Sequence, residues 1–104
     1  MKIGTMEIQG KAVLAPMAGV TDRPFRRLCR QFGAAYCVTE MVSAKALQFK
    51  DKKTPLLMRL DENEHPAAIQ IFGDEPEVMA LAAQKAMAFS PDAIDINMGC
   101  PAPK

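Results

Sequence analysis

Asp95, Asn97 and Cys100 fall within one short run, Asp95-Ile96-Asn97-Met98-Gly99-Cys100-Pro101, in which an apolar strand pattern carrying polar residues leads into a cysteine between glycine and proline. A strand end with two hydrogen-bonding side chains and a thiol suits proton transfer or nucleophilic chemistry at the mouth of a sheet, where α/β folds place their active sites. The Gly-Cys-Pro corner fixes the backbone and keeps the sulfur out of a helical core. The only histidine, His65, lies in a polar loop far from Cys100 in sequence, which argues against a cysteine-histidine protease pair. A thiol whose ordinary pKa is about 8.5 is mostly protonated at neutral pH and can act as a general acid without a base partner. Cys29 and Cys37 fall in apolar patterns and are expected to be small core residues.

A second polar residue of the same kind is Gln70 in Ala67-Ala68-Ile69-Gln70-Ile71, flanked by isoleucines as Asp95 is. Period-2 alternation puts the isoleucines on one face and the polar side chains on the other. Gln70 and Asn97 each carry a donor and an acceptor, which fits a planar heterocycle with amide or imide edges; mutual satisfaction inside a barrel is the equally weighted alternative. Ala15-Pro16-Met17-Ala18-Gly19 ends another strand, and its small residues allow close approach of backbone to a flat cofactor ring or to a packed helix. There is no Gly-x-Gly-x-x-Gly or Walker loop and no cysteine or histidine spacing of a metal site.

The elements that must position these residues alternate. Strand patterns at 12–15, 36–39, 67–71 and 93–97 are separated by helical patterns at 23–32, 43–49 and 75–89. The 23–32 helix is expected to bury Phe25, Leu28, Cys29 and Phe32 and to stop at Gly33. Asp22 and Asp74, each just before a proline, predict capped helix starts, with Glu77 completing a capping box for the second. Arg23, Arg26, Arg27 and Arg30 read as a solvated face that could touch phosphates. Residues 56–60 fit either a short strand or an amphipathic turn, residues 61–66 a polar loop, and residues 2–8 a small hairpin or lid. Alternation of this kind predicts a parallel sheet with helices outside, and crossovers of that length are right-handed.

At 104 residues, 49% hydrophobic and 24% charged, the chain can bury one modest core. A formal charge of +1 gives no global field toward nucleic acid or anionic membrane. With no signal-like or membrane-spanning run and an odd three cysteines, a cytoplasmic protein with reduced thiols is expected.

The three motifs APMAGVTDRPFR, QIFG and DINMGCP, in this order and spacing, resemble those of the tRNA-dihydrouridine synthases, particularly the bacterial B-type. The resemblance runs from Ile3 onward over the whole chain and implies an α/β fold, the N-terminal half of a (β/α)8 TIM barrel with strands one to four and a short N-terminal hairpin. It implies that residues 1–104 are part of an FMN-binding barrel whose second half, with a helical tRNA-binding domain, lies beyond them. By motif, Pro16, Met17 and Ala18 resemble the backbone that contacts FMN and Gln70 its side-chain partner, while Asn97 resembles the residue holding the target uracil and Cys100 the general acid. The implied reaction is NADPH-dependent, FMN-mediated reduction of the 5,6 double bond of a tRNA uridine, with no metal. The isolated chain is expected to be inactive and, with two open sheet edges, to self-associate. The alternatives are another FMN barrel reducing a free pyrimidine and a non-catalytic, self-associating half-barrel.

Overall fold

A computed structural model describes residues 1–99. An antiparallel hairpin of β1 (Lys2–Ile3) and β2 (Met6–Glu7) precedes an alternating series: β3 (Ala12–Leu14), α1 (Arg23–Gln31), β4 (Ala34–Val38), β5 (Val42–Ser43), α2 (Ala44–Gln48), β6 (Ala67–Phe72), α3 (Pro76–Met87) and β7 (Ala93–Ile96). Every pairing in the main sheet is parallel. β3 pairs with β4 (Val13 with Tyr36), and β6 pairs with both β4 (Val38 with Ala68) and β5 (Val42 with Ile71). β7 pairs along the same stretch of β6 (Ala68 with Ala93, Ile71 with Ile96) and so takes its opposite edge. β4 and β5 are thus two parts of one interrupted strand, and four strands run in sequence order, consistent with the N-terminal half of a (β/α)8 barrel.

The alternation expected in β6 and β7 is what divides the layers. Ile69, Ile71 and Ile94 face the helices and pack with Val42, Leu47, Met58, Val78, Ala82 and Ala86; each fully buried isoleucine contributes about 1.5–3 kcal/mol. On the inner face, Tyr36, Val38 and Ala68 pack with Ile8 from the hairpin, which closes the amino-terminal ends of the strands. The apolar inner layer gives way to Gln70, Asp95 and Asn97 toward the carboxyl ends. No helix among the described residues is long and apolar enough to cross a membrane.

The helix starts follow the expected chemistry in part. Asp22 caps α1 by accepting from the Phe25 N–H at 3.0 Å, and Gly33, at φ +104°, ends it. In α3 the cap position is Glu75, one residue later than expected, and the Glu75 side chain makes no capping hydrogen bond. Residues 54–58 form a 3-10 helix that delivers Met58 to the core, and a second 3-10 turn covers Glu62–Glu64.

The largest departure is on α1. Its buried residue is Arg26, 1% exposed, whereas Phe32 is 85% exposed; α1 packs against β4 and the turn at Glu62–Glu64, next to the open edge at β3. Arg26 Nε meets Glu64 Oε1 at 2.5 Å, and its other nitrogens donate to the Thr21 and Arg59 carbonyls at 2.8 and 2.9 Å. Glu64, 0% exposed, also accepts from the Asp61 N–H, so every strong group of this buried pair has a partner. Arg30 donates to the carbonyls of Ala34 and His65, and Arg23 and Arg27 both pair with Asp61. The arginines are therefore the fastening of residues 59–65 to α1 and not a free solvated face.

Two carboxylates tie this region to pH. Hydrogen bonds from Arg23 and Arg27 hold the Asp61 carboxyl below its ordinary value of 3.8. At Asp92 burial favours the neutral form, but hydrogen bonds from His65 and the Ala67 N–H outweigh it and lower that carboxyl too. A depressed folded value stabilises the fold above the unfolded value of 3.8 and loses that contribution as pH falls through the folded one. Denaturation profiles between about pH 5 and about pH 2 are therefore expected to fall less steeply for Asp61→Asn than for the parent; equal slopes would contradict the role given to the Arg23 and Arg27 contacts.

Candidate active site

The carboxyl ends of β3, β4, β6 and β7 share one rim, because all four strands are parallel. Gln70 and Asp95 are register partners on the inner face, and the Gln70 Nε2 donates to Asp95 Oδ2. A carboxylate only accepts, which fixes the amide so that Oε1 points the other way, where it accepts from Asn97 Nδ2 at 3.3 Å. Asn97 is itself held at both ends. Its backbone N–H donates to the Ile71 carbonyl at 3.0 Å, extending the ladder beyond β7, and its Oδ1 accepts from the Gly99 N–H at 3.0 Å. Gln70 is 6% exposed and Asn97 half-buried, so Asp95 and Gln70 form the floor of a polar row and Asn97 its outer member. Gln70 and Asn97 do satisfy each other, yet among the described residues Gln70 retains its second amide N–H and an acceptor lone pair.

The loop of Pro16, Met17 and Ala18 stands two strand positions away. Thr21, completely buried, organises it: its hydroxyl accepts from the Met17 N–H at 3.1 Å, and its N–H donates to the Met17 carbonyl at 2.9 Å. Gly19 turns the chain at φ +76°, a conformation glycine adopts without strain, and its N–H donates to Glu40 Oε1 at 2.6 Å. Met17 and Ala18 are left exposed on the rim. Beside this loop a cleft of about 510 Å³ runs between the start of α1 and residues 56–59, reaching Glu40.

The thiol and phenol below the rim are quiet. Cys37 is fully buried and burial pushes its thiol up, as suits a core residue. Burial, then the charges of Asp95 and Asp92, raise the Tyr36 phenol, which keeps it neutral beneath the polar row. Cys100 lies outside the described residues; Gly99, which precedes it, is the residue whose N–H Asn97 holds. Sequence reasoning passed over Thr21, Thr39, Glu40 and Met41. Glu40 carried the one usable signal, a lone acid between the apolar runs Tyr36-Cys37-Val38 and Met41-Val42.

A family model described as "Dihydrouridine synthase (Dus)" matches residues 13–104, a span that contains every residue of this rim. The chain belongs to the dihydrouridine synthase family. Among curated relatives, proteins named tRNA-dihydrouridine synthase B from Pseudomonas aeruginosa, Vibrio vulnificus and Pasteurella multocida are 44%, 45% and 41% identical over all 104 residues. Their shared name supports the B-type branch of the dihydrouridine synthases. The alignments cover 31–32% of those relatives, so the chain spans about a third of their length.

Proposed function

We propose that this chain is part of the catalytic barrel of a cytoplasmic, FMN-dependent tRNA-dihydrouridine synthase, which in its full length reduces the 5,6 double bond of a tRNA uridine at the expense of NADPH. The observation that carries the reading is the Asp95-Gln70-Asn97 row at the carboxyl rim beside the exposed backbone of residues 16–18. A flat isoalloxazine needs a wall without bulky polar side chains and a few directed hydrogen bonds. The 16–18 loop offers the former, and the remaining N–H and lone pair of Gln70 offer the latter.

Bound FMN supplies the hydride, drawn from NADPH. The chain's own part is to bind and orient. Asp95 holds the Gln70 amide in one orientation, so its free edge is preset before the flavin arrives. Asn97 would read the edge of a uracil turned out of the tRNA stack, since the base cannot reach a rim of this kind while stacked. Cys100 would give the proton that completes the addition of two hydrogens across the double bond.

The test uses the full-length protein that carries this segment. Purified with flavin, it is expected to reduce tRNA uridine and leave free pyrimidines untouched. Absence of flavin, or activity on free pyrimidines alone, would overturn the reading. Asn97→Ala is expected to lower kcat/KM for tRNA about 10- to 100-fold with little change in FMN affinity. Gln70→Ala is expected to do the reverse first, weakening FMN about tenfold as measured by fluorescence titration.

A further inference from the structure

We infer that the three residues interrupting the second strand, Thr39-Glu40-Met41, are the piece that sets the candidate flavin and uracil residues relative to one another, with Glu40 as the positioning residue for the 16–18 loop. This rests on the flavin reading above and adds to it residues that the motifs do not single out. Between β4 and β5 the ladder to β6 is carried by side chain as well as backbone. Thr39 N–H donates to the Ala68 carbonyl at 3.0 Å, and the Thr39 hydroxyl takes the place of a strand carbonyl by accepting from the Gln70 N–H at 3.1 Å. The same hydroxyl donates to the Glu40 carbonyl at 3.0 Å, which fixes its rotor.

Relieved of strand pairing, the next two side chains reach in opposite directions, one to the adjacent strand β3 and the other across β6 toward β7. Glu40 reaches toward β3 and accepts the Gly19 N–H at 2.6 Å, and the Met41 sulfur lies 3.9 Å from Asn97 Nδ2 toward β7. Three consecutive residues therefore touch the backbone of Gln70, the loop of Pro16, Met17 and Ala18, and the amide of Asn97. No other described segment contacts all three groups through the hydrogen bonds of the structure. A charge-assisted bond to a glycine N–H is about twice as strong as a neutral one, so Glu40 is the member whose removal releases the most. Thr21 holds the far side of the loop, and among the described residues Glu40 is its only side-chain anchor from another strand.

The measurement is FMN affinity of the full-length protein, by fluorescence titration, alongside thermal unfolding of the flavin-free form. Glu40→Ala is expected to raise the FMN Kd about tenfold, with the melting temperature of the flavin-free protein unchanged. Glu40→Gln keeps an oxygen that can accept the Gly19 N–H and is expected to restore Kd to within about threefold of the parent. Parent-like affinity in Glu40→Ala overturns the proposal. So does equal weakening in both variants, which would make the charge rather than the clamp responsible, and so does a fall in melting temperature that matches the loss of affinity. A parent protein that takes up no flavin removes the flavin reading and this proposal together, whereas flavin binding indifferent to Glu40 removes this proposal alone.

Discussion

Cys100→Ala in the full-length protein is expected to slow uridine reduction by about 10²- to 10⁴-fold, the usual worth of a positioned general acid. The two halves of the reaction should separate. Bleaching of the flavin by NADPH draws on no thiol and should proceed at the parent rate, whereas reoxidation by tRNA should stall. Cys100→Ser should fare little better, since a hydroxyl is a far weaker acid than a thiol. Stopped-flow absorbance of the flavin reads both phases in one sample. Slowing of the tRNA-dependent phase by less than about 10²-fold in Cys100→Ala would remove Cys100 from the chemistry.

The second large effect belongs to the Arg26–Glu64 pair. Glu64→Ala leaves a guanidinium, 1% exposed, without its counter-charge, and breaking one half of a buried pair costs about 3–5 kcal/mol. Arg26→Ala loses in addition the donors to the Thr21 and Arg59 carbonyls. Because Thr21 also braces Met17, this variant is expected to weaken FMN binding as well as stability, which Glu64→Ala at matched stability should not. The double replacement Arg26→Met with Glu64→Leu removes both charges at once and is expected to be less damaging than either alanine variant. Denaturant midpoints of the parent, Arg26→Met, Glu64→Leu and the double replacement close a double-mutant cycle; strict additivity would mean that the two side chains do not act as a pair.

The legible part of this fold is what short-range periodicity encodes. The isoleucines of β6 and β7, spaced by two, announce both the strands and their faces, and the same parity puts Gln70 and Asn97 together on the inner side. Asp22 before Arg23-Pro24 marks the start of α1 because a cap is a contact within one turn. What stayed hidden depends on partners far along the chain. Arg26 belongs in the core only because Glu64, 38 residues later, is there to meet it, so apolar spacing pointed instead to Leu28 and Phe32. Residues 61–66 look like a polar loop for the same reason: the burial of Glu64 is not a local property. Glu40 and Met41 act through side chains that leave their own strand, and the lone acid between two apolar runs marks the break between β4 and β5 without showing what those side chains reach. The resemblance of three motifs carried the site further than composition could, and the family match over residues 13–104 supports it.

Arg30 and Arg26 grip mainly main-chain oxygens: those of Ala34 and His65 for the first, those of Thr21 and Arg59 for the second. Glu40 likewise holds an amide that residue 19 would present whatever its neighbours. Such contacts bind one party's side chain and leave the other's anonymous. Over many generations the long charged donors should be hard to exchange, while Ala34 and Arg59 drift without loosening the joint, so tolerance to substitution across this region should be lopsided, concentrated on those accepting residues whose own side chains make no contact of this kind.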